Sequence, residues 1–374
     1  MADSSTPPSL SPVLVTGGCG FIGSHMVEGI LEAEPDCIVH VVDINTERNR
    51  IPNALYHTVD ITKSKDLQAV VNEVKPKTIF HIACPESLVL QPAIFQSVNV
   101  DGTRNLLSAA KAVGTVQAFV NTSTSSVIHD NVSDLVDAPE DLPVLQYPAQ
   151  KRVYTLTKAV AEGDVLSANR AGGDGSMLTT NIRPATVFGE RDHVCMARIV
   201  ATARSGRANI QMGPGLNLYD FVYVKNLIDA QLLAARALLR AYGKPPPPLE
   251  GRVDGESFNI TNDERVLFWE FHRAIAASVG IPIRKEDVRI IPLWVGLLMA
   301  FISEWVTWIR TFGKKQPQIS REAVRLTVIH RTLNGEKAKR VLGYKPRYSI
   351  QQSLERSGKW FIEDAKKNQA KSAV

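Results

Sequence analysis

The stretch VLVTGGCGFIG, residues 13–23, decides the fold of this chain. The apolar and β-branched residues VLVT run directly into glycines at positions 17, 20 and 23. A strand, a tight glycine turn and the start of a helix, in that order, are typical of a dinucleotide-binding unit, in which the helix N-terminus offers free N–H groups to a pyrophosphate. Five residues of this turn are the predicted cofactor contacts: Gly17, Gly20, Phe21, Ile22 and Gly23.

Acidic residues follow at the ends of two later predicted strands. Asp43 lies about twenty residues past the last glycine, where a carboxylate can accept hydrogen bonds from both hydroxyls of an adenosine ribose and would repel a 2′-phosphate. NAD is therefore predicted over NADP, although Arg48 and Arg50 are close enough in sequence to leave tolerance of NADP open. Asp60 and Ile61 end the third strand, where such folds commonly contact the adenine.

From residue 13 to about residue 125, short β-branched runs alternate with longer segments of helical period, as in βαβ units on a parallel sheet. The predicted strands are Val13–Thr16, Ile38–Asp43, Ala54–Asp60, Thr78–Ala83, Ala118–Thr122 and Thr179–Phe188. The predicted helices are Phe21–Ala33, Lys63–Val74, Pro92–Val113 and Lys151–Arg170. We therefore predict an α/β fold, a Rossmann-type doubly wound parallel sheet with a smaller, mixed C-terminal substrate lobe. Its parts would be a flexible N-terminus over 1–11, an NAD-binding domain over 12–190 and a mainly substrate-binding lobe over 191–374.

Composition excludes several other classes of protein. With 374 residues, 44% hydrophobic and 22% charged, the chain can bury a sizeable core and is neither disordered nor fibrous. Lys and Arg, 43, exceed Asp and Glu, 38, by too few and too dispersed residues to indicate nucleic-acid binding. The four cysteines form no CxxC pair, so we predict no metal site and no disulfide framework.

The spacing Tyr-x-x-x-Lys occurs twice, at Tyr147/Lys151 and at Tyr154/Lys158. Residues four apart share one face of a helix, so the Lys ammonium can lower the pKa of the Tyr phenol toward the working pH. The tyrosinate could then act as general base toward an alcohol. Spacing alone cannot choose between the pairs, but Tyr147 precedes Pro148, whereas Tyr154 opens a good helical run. We therefore predict Tyr154 and Lys158 as the catalytic pair.

A cluster of hydroxyl side chains, Ser123-Thr124-Ser125-Ser126, follows the predicted strand Ala118–Thr122. Folds of this kind bind their ligands at the C-terminal edge of the sheet, so one of these hydroxyls could hydrogen-bond the reacting oxygen of a substrate. Others would satisfy local backbone groups in a turn. Thr124 is predicted to be the catalytic one, with Ser123 and Ser125 as alternatives.

Several motifs occur in a fixed order over residues 13–190. They are Gly17-Gly18-x-Gly20-x-x-Gly23, Asp60-Ile61, His81-Ile82-Ala83, Asn99-Val100-x-Gly102-Thr103, Tyr154-x-x-x-Lys158 and Arg183-Pro184-x-x-x-Phe188-Gly189. In these motifs the chain resembles the extended short-chain dehydrogenase/reductase superfamily. Two later stretches, YDFVYVKNLIDAQLLAA at 219–235 and FNITNDERVLFWEFHRAI at 258–275, make it similar to the 3β-hydroxysteroid dehydrogenase family, in particular to its fungal members that act on 4α-carboxysterols.

The resemblance implies roles for individual residues. Tyr154 would be the acid/base, and Lys158 would both lower its pKa and hold the nicotinamide ribose. Thr124, which stands where the family usually has Ser, would orient the substrate. Ala83 and Asn99 would lie on the cofactor side. No residue is expected to bind a metal.

The activity implied by the resemblance is NAD-dependent oxidation of the 3β-hydroxyl of a 4α-carboxysterol with loss of CO₂, a step of sterol C-4 demethylation in ergosterol-type biosynthesis. The expected partners are the sterol and a membrane surface, with other enzymes of C-4 demethylation and a second copy of the chain as further candidates. Lys225 stands where relatives often have Glu, which leaves the identity of the substrate more open. The alternatives are a related 3β-hydroxysteroid or triterpenoid dehydrogenase of specialised metabolism, a nucleotide-sugar epimerase or dehydratase, and a cofactor-sensing protein without turnover.

The stretch Ile290–Phe312 does not suit a plain soluble protein, because it holds three of the five tryptophans. On a helix its apolar face would consist of Trp294, Leu297, Leu298, Phe301, Ile302, Trp305, Trp308, Ile309 and Phe312. Its opposite face would consist of Gly296, Ala300, Ser303, Glu304, Thr307 and Thr311, and its basic flanks of Arg289, Arg310, Lys314 and Lys315. We expect an amphipathic helix over about 293–312 in a membrane interface, with a spanning helix and a core helix or lid as alternatives. The expected location is the cytosolic face of the endoplasmic reticulum membrane, as a peripheral or monotopic protein.

Overall fold

A computed structural model describes residues 7–86, 91–313 and 315–372 of the chain. Its first half contains β1 (Val13–Thr16), α1 (Phe21–Ala33), β2 (Val39–Asp43), β3 (Ala54–Thr58), α2 (Ser64–Val74), β4 (Thr78–His81), α3 (Pro92–Phe95), α4 (Thr103–Val113), β5 (Ala118–Thr122), β6 (Leu135–Ala138), α5 (Val153–Ser167), β7 (Leu178–Pro184) and β8 (Thr186–Phe188). Its second half contains α6 (Met196–Arg204), β9 (Ile210–Met212), β10 (Leu218–Tyr223), α7 (Val224–Ala241), β11 (Ser257–Ile260), β12 (Arg265–Leu267), α8 (Phe268–Ser278), β13 (Arg289–Ile291), α9 (Leu293–Thr311), α10 (Arg321–Leu326), β14 (Arg331–Leu333) and α11 (Ile350–Ser372).

The main sheet has seven parallel strands in the order β3-β2-β1-β4-β5-β7-β11. Strands β1, β4 and β5 are buried along their whole length. Helices on both faces of a parallel sheet require such continuous apolar runs, which is why VLVT reads as a strand. The order reverses between β1 and β4, and this switch point is where ligands of doubly wound sheets bind. The predicted Rossmann-type sheet is confirmed.

The seventh strand comes from the second half of the chain. β11 lies parallel to β7, with Ser257 opposite Asn181 and Ile260 opposite Pro184. Helix α7 packs against α1, β5 and β7. Residues beyond 190, where the sequence predicts the substrate lobe, therefore complete the sheet that carries the glycine turn.

The N-terminal part of the described chain is packed against the protein. Leu10 is fully buried in the main core. Its backbone N–H donates to Glu34 Oε2 at 3.1 Å, and the Ser9 hydroxyl donates to the same carboxylate. The packed chain thus begins by Ser9, and residues 1–6 of the predicted flexible segment lie outside the described ranges.

Two predicted elements near the site have different bounds in the structure. The predicted strand Thr179–Phe188 is divided in two: β7 stays in the main sheet, whereas β8 pairs with β10. Pro184 stands at the break, where it has no N–H to continue the ladder. The predicted helix Lys151–Arg170 is shorter at both ends, because Arg152 has extended backbone and Arg170 lies beyond the last helical turn.

The predicted helix Pro92–Val113 contains a wider turn. A π-helical segment, Gln96–Gly102, separates α3 from α4. Such turns add a residue to the helix and are frequent at functional sites. Asn99, a predicted cofactor contact, lies within it.

A second, mixed sheet forms the predicted C-terminal lobe. Its order is β12-β10-β14-β6, with β8 also on β10. β12 is antiparallel to β10, whereas β14 is parallel to both β10 and β6. This sheet brings Arg331, at the start of β14, against the hydroxyl loop that follows β5.

Candidate active site

The glycine turn between β1 and α1 allows close backbone approach. Gly17 has φ +70°, and a Cβ there would lie 2.7 Å from the Cα of Ala83. A Cβ on Gly23 would lie 2.0 Å from the carbonyl oxygen of Gly17. Gly20 keeps the turn tight by donating its N–H to that oxygen at 3.1 Å. A larger residue at these positions would displace backbone, which explains the spacing of the glycines.

Asp43 at the end of β2 is held beside this turn. Its Oδ2 accepts the Cys19 N–H at 3.0 Å, and its Oδ1 accepts the N–H of Asn45 at 3.2 Å. Arg50, one of the two arginines that left NADP open, lies 4.3 Å from the centre of the Tyr56 ring and donates to a backbone carbonyl. The acidic side chain is therefore the charged group fixed at the turn.

Asp60 and Ile61 have local structural partners. Asp60 Oδ1 accepts the Thr62 N–H at 2.9 Å. Ile61 is buried, and a Cβ on Gly102 would lie 2.7 Å from its Cδ1. These contacts join the end of the β3 segment to the π-helical turn that holds Asn99.

A buried hydrogen-bond chain connects β1, β4 and the π-helical turn. Thr16 Oγ1 lies 2.7 Å from His81 Nδ1, and His81 Nε2 lies 2.8 Å from Thr103 Oγ1. Thr103 donates to the Asn99 carbonyl at 2.6 Å. Burial lowers the pKa of His81 to about 3, with a smaller contribution from the charge of Lys158, so this ring is neutral and structural. The motif His81-Ile82-Ala83 indicated this strand end, but it did not predict the hydrogen bonds of His81 with Thr16 and Thr103.

Only the Nδ2 end of the Asn99 side-chain amide has a hydrogen-bond partner among the described residues. The side chain is buried, and its Nδ2 donates to Thr157 Oγ1 at 3.0 Å. Its Oδ1 is buried without a hydrogen-bond partner among the described residues. An unsatisfied buried acceptor is costly, and here it marks a position where a ligand could donate a hydrogen bond.

Tyr154 lies on the first turn of α5, and its ring packs edge-on against Phe95 with the ring centres 5.9 Å apart. Burial raises the pKa of the Tyr154 phenol above its usual value, and the nearby Cys84 adds to the rise. A hydrogen bond with Thr124 lowers the same pKa, as do the positive charges of Arg152 and Arg331. Thr124 and the two arginines therefore favour the ionised phenol, whereas burial and Cys84 favour the neutral phenol.

Lys158 lies one turn further along α5 and is buried. Its Nζ donates to the Thr122 carbonyl at 2.6 Å, at the end of β5. Burial lowers the pKa of Lys158, whereas the charges of Cys84 and Glu162 raise it. The hydrogen bond to Thr122 fixes the ammonium of Lys158 at the edge of the main sheet.

The hydroxyl cluster after β5 separates into distinct roles. Ser123 donates to Glu162 Oε2 in the protein interior, and Ser125 accepts from Arg331 at 3.4 Å. Thr124 accepts the Ser126 N–H at 3.2 Å and faces the Tyr154 phenol. The geometry favours Thr124 over its two neighbours.

The other Tyr-x-x-x-Lys pair lies outside the helix. Tyr147 is 75% exposed, and Lys151 is also exposed. Both precede α5, so their side chains do not share a helical face. The geometry favours the second pair, Tyr154 and Lys158.

Cys84, which sequence reasoning did not single out, lies beside this group. The residue as a whole is exposed, and burial of its thiol raises the pKa of that thiol. A hydrogen bond with Asn99 and the charge of Lys158 lower that pKa. The only sequence signal was its place directly after the motif His81-Ile82-Ala83.

Helix α9 presents its apolar face to the outside. Gly296 and Ala300 are its buried residues, and Glu304 accepts from both the backbone N–H and the Nε of Arg321 at 2.7 Å. The exposed apolar residues are Trp294, Leu298, Met299, Phe301, Ile302, Trp305, Val306, Trp308 and Ile309, followed by Phe312. Among the described residues this is the one helix long and apolar enough to cross a membrane, judged by length and composition. The predicted division into two faces is confirmed, and the core-helix alternative is wrong; Lys314 lies outside the described residues.

A polar cavity of about 560 Å³ lies between the start of α5 and the inner side of α9. Charged residues dominate its lining, among them Lys151, Arg152, Glu304, Arg321 and Glu322. Arg152 Nη1 lies 3.7 Å from Glu322 across it. This lining does not suit the apolar body of a sterol.

Known proteins share both the sequence and the fold. The chain is 32% identical over 362 residues to sterol-4-alpha-carboxylate 3-dehydrogenase, decarboxylating, of Saccharomyces cerevisiae, covering 95% of this chain and 99% of that protein. It is 33% identical over 344 residues to the Homo sapiens protein of the same name, covering 92% and 86%. Among solved structures, UDP-glucose 4-epimerase of Thermus thermophilus in complex with NAD has a TM-score of 0.68 at 23% identity, covering 93% of this chain and 98% of that one.

All three matches cover most of the chain, but the epimerase, at 23% identity, shows the fold alone, whereas the two dehydrogenases are 32% and 33% identical. Residues 14–290 match the family model of the 3-beta hydroxysteroid dehydrogenase/isomerase family. On these matches, the chain belongs to the 3-beta hydroxysteroid dehydrogenase/isomerase family.

Proposed function

We propose that the chain is an NAD-dependent 3β-hydroxysteroid dehydrogenase that oxidises the 3β-hydroxyl of a 4α-carboxysterol and releases CO₂. The observation that carries the proposal is the position of the Tyr154 phenol beside the Thr124 hydroxyl at the C-terminal edge of the main sheet. Lys158 is fixed one helical turn away. The printed names of the yeast and human relatives support the substrate class.

The residues at the switch point fit NAD. The turn at Gly17 and Gly23 leaves no room for side chains, as close approach of a pyrophosphate requires. The Asp43 carboxylate is fixed beside the turn, where it could accept from the hydroxyls of an adenosine ribose. Asn99 Oδ1 lacks a protein partner. When bound, NAD supplies the acceptor for the hydride that leaves C3 of the substrate.

The phenol of Tyr154 would accept the proton of the 3β-hydroxyl, while Thr124 hydrogen-bonds the same oxygen. Only the ionised phenol can accept that proton. Because burial holds the pKa of Tyr154 above its usual value, oxidation should become faster as the pH rises. The positive charges of Arg152 and Arg331 extend activity toward lower pH.

Loss of CO₂ requires little additional catalysis by the protein. Oxidation at C3 creates a ketone next to the carbon that bears the carboxylate. The carbonyl then accepts the electron pair of the breaking bond as an enolate, and a proton at C4 completes the ketone. This explains why one acid/base residue suffices for both changes.

Incubation of the purified protein with NAD⁺ and a 4α-carboxysterol tests the proposal directly. We expect NADH and CO₂ to form in equal amounts, with NAD⁺ preferred over NADP⁺. Turnover of a 3β-hydroxysteroid without a carboxyl group, but not of the acid, would support the related-dehydrogenase alternative. Turnover of UDP-glucose alone would support the epimerase alternative and contradict the proposal.

We further propose that α9 lies in a membrane interface, so that a sterol can reach the site from the bilayer. Its inner side is held to the protein by Glu304 and Arg321, while its outer side is apolar and rich in Trp. A helix docked along one side in this way suits interfacial binding better than spanning. Arg310 at its C-terminal end is exposed, as expected of a residue near lipid headgroups.

Flotation with liposomes tests the interfacial helix. The double variant Trp305→Ser/Trp308→Ser should lose most of the protein recovered with liposomes, because these side chains are the apolar anchors. The matched control is Val136→Ser/Leu249→Ser, which removes two apolar side chains elsewhere that are at least as exposed as the two tryptophans. Equal recovery of both variants with liposomes would reject the anchor.

Microscopy of the tagged full chain would test the proposed location at the cytosolic face of the endoplasmic reticulum. The remaining proposed partners are other enzymes of sterol C-4 demethylation and a second copy of this chain. Cross-linking on isolated membranes would test both.

A further inference from the structure

Arg331 of the second sheet reaches the hydroxyl loop next to Tyr154. Its Nη2 donates to Ser126 Oγ at 2.7 Å and to Ser125 Oγ at 3.4 Å. Its Nη1 donates to the hydroxyl of Tyr219 at 3.0 Å. The backbone N–H of Ser126 in turn donates to Thr124 Oγ1. Ser126 therefore connects the guanidinium to the predicted catalytic hydroxyl.

All these partners are neutral. Among the described residues no carboxylate lies within ion-pair distance of Arg331, and its Nε is buried without a hydrogen-bond partner. The contrast is with Arg152, which faces Glu322, and with Arg265 on β12 of the same sheet, which pairs with Asp137. A half-buried cation without a counter-charge is unfavourable, and a carboxylate brought by a ligand would relieve that cost.

We propose that Arg331 binds the 4α-carboxylate of the substrate and thereby selects carboxylated sterols, an inference that rests on the proposed function. The hydroxyl at C3 and the carboxylate at C4 sit on adjacent carbons, so the group that binds the carboxylate must lie beside the Tyr154–Thr124 pair. Arg331 meets this condition through Ser126. Its charge also reaches the phenol, since it lowers the pKa of Tyr154. The planar fork of a guanidinium matches a carboxylate.

The proposed contact between Arg331 and the carboxylate should affect which sterols bind rather than the release of CO₂. Cleavage of the bond between C4 and the carboxyl carbon moves negative charge away from the carboxylate toward the C3 oxygen. A guanidinium on the carboxylate therefore stabilises the starting state more than the transition state of that step. Loss of Arg331 should weaken substrate capture and leave the ratio of CO₂ to NADH unchanged.

The test compares a 4α-carboxysterol with its methyl ester, which keeps the 3β-hydroxyl but carries no charge. In Arg331→Gln, kcat/KM for the acid should fall about 10- to 100-fold, mainly through KM, since a hydrogen bond to a charged group contributes about 1.5 to 3 kcal/mol. Both proteins are compared at their own optimal pH, because loss of the Arg331 charge also raises the pKa of Tyr154. Under these conditions kcat/KM for the ester should change by less than about threefold. Arg331→Lys should lie in between, because it keeps the charge but not the fork.

Two variants serve as controls. Tyr219→Phe removes one neutral partner of Arg331, and Arg265→Gln removes an arginine of the same sheet that already has a counter-ion. Both should keep the preference for the acid. Denaturation curves and NAD affinity establish that each variant folds, and Arg331→Lys provides the measurement if Arg331→Gln does not.

Equal loss for acid and ester would overturn the inference, because Arg331 would then only hold the loop that carries Thr124. The same holds if wild type prefers the acid and the preference survives in Arg331→Gln. If wild type forms no NADH with either sterol, the proposed function fails. In that case, binding of the acid and of the ester to the NAD-loaded protein tests the carboxylate site separately. A preference for the acid that Arg331→Gln removes would support the carboxylate site. No preference for the acid would overturn the inference.

Discussion

Two regions differ in where their side chains find partners: the proposed catalytic cleft, which consists of Tyr154, Lys158, Thr124 and the buried polar groups behind them, and the outer face of α9. In the cleft, polar side chains are buried and find their partners within the protein: Ser123 and Arg183 both bind Glu162. On α9, apolar side chains such as Trp305 and Trp308 are exposed, with each other as ring neighbours. The comparison shows that the fold supplies partners for most buried polar groups of the first region, apart from Asn99 Oδ1 and Arg331 Nε, whereas the second region needs a surface from outside.

Tyr154→Phe should have the largest effect on the cleft. Removing the phenol hydroxyl removes the proton acceptor, so kcat should fall about 10²- to 10⁴-fold, as for other general acid/base groups. NAD affinity, measured by fluorescence titration, should stay near that of wild type. An active Tyr154→Phe enzyme would show that the cleft is not organised around this residue.

The Glu162–Arg183 pair provides the sharpest contrast with α9. Glu162→Gln leaves the buried Arg183 without its counter-charge and should lower the free energy of unfolding by about 3 to 5 kcal/mol. Glu304→Gln breaks a pair at the more exposed inner side of α9 and should cost about 1 kcal/mol or less. Urea denaturation of both variants measures the difference. Equal costs would remove the distinction between the two regions.

Asp220 extends the comparison to the second sheet. Its carboxylate accepts the Leu333 N–H at 2.7 Å, and burial raises its pKa to about 6. The folded state therefore holds this proton more tightly than the unfolded chain, and the contribution to stability is present at pH 4 and is lost as the pH rises toward 6. Relative to Asp220→Asn, wild type should lose about 2 kcal/mol of unfolding free energy over this range. Urea denaturation at pH 4.5 and pH 7 measures it; parallel curves for both proteins would contradict the assignment.

The smallest effect is expected on the outer face of α9. In the absence of membranes, Trp305→Ser/Trp308→Ser should change the free energy of unfolding by less than about 1 kcal/mol, because surface substitutions away from packed contacts are nearly neutral. Thermal and urea denaturation measure this. A loss of several kcal/mol would mean that these side chains pack inside the protein in solution.

Local sequence patterns predicted the parts of the fold that depend on near neighbours. The run 13–23 contains the strand, the turn and the helix that it predicts, because glycine spacing and β-branched residues act over a few positions. The two faces of α9 followed from helical period for the same reason. The hydroxyl cluster was located, but which hydroxyl faces Tyr154 depended on Glu162 and Arg331, which lie far away in sequence.

Contacts between distant segments account for what the sequence did not predict. Arg331 and Ser126 are 205 residues apart, and no local period joins them. The break after Pro184 arises because β8 pairs with β10, a strand that begins more than thirty residues later. The hydrogen bond from Lys158 to the Thr122 carbonyl did not follow from the sequence, because spacing fixes which face of a helix two residues share but not where a side chain points.

The seventh strand of the main sheet has a consequence for how the chain folds. Thr180 and Glu256 are joined by a hydrogen bond of 2.8 Å across 76 residues of sequence. As the chain leaves the ribosome, β7 therefore stays an open sheet edge until the residues of β11 have been made. Such an edge can pair with another chain, and closing so long a loop slows folding. A fragment that ends at residue 190 would contain the whole glycine turn and Tyr154, and would still lack the strand that protects its sheet from aggregation.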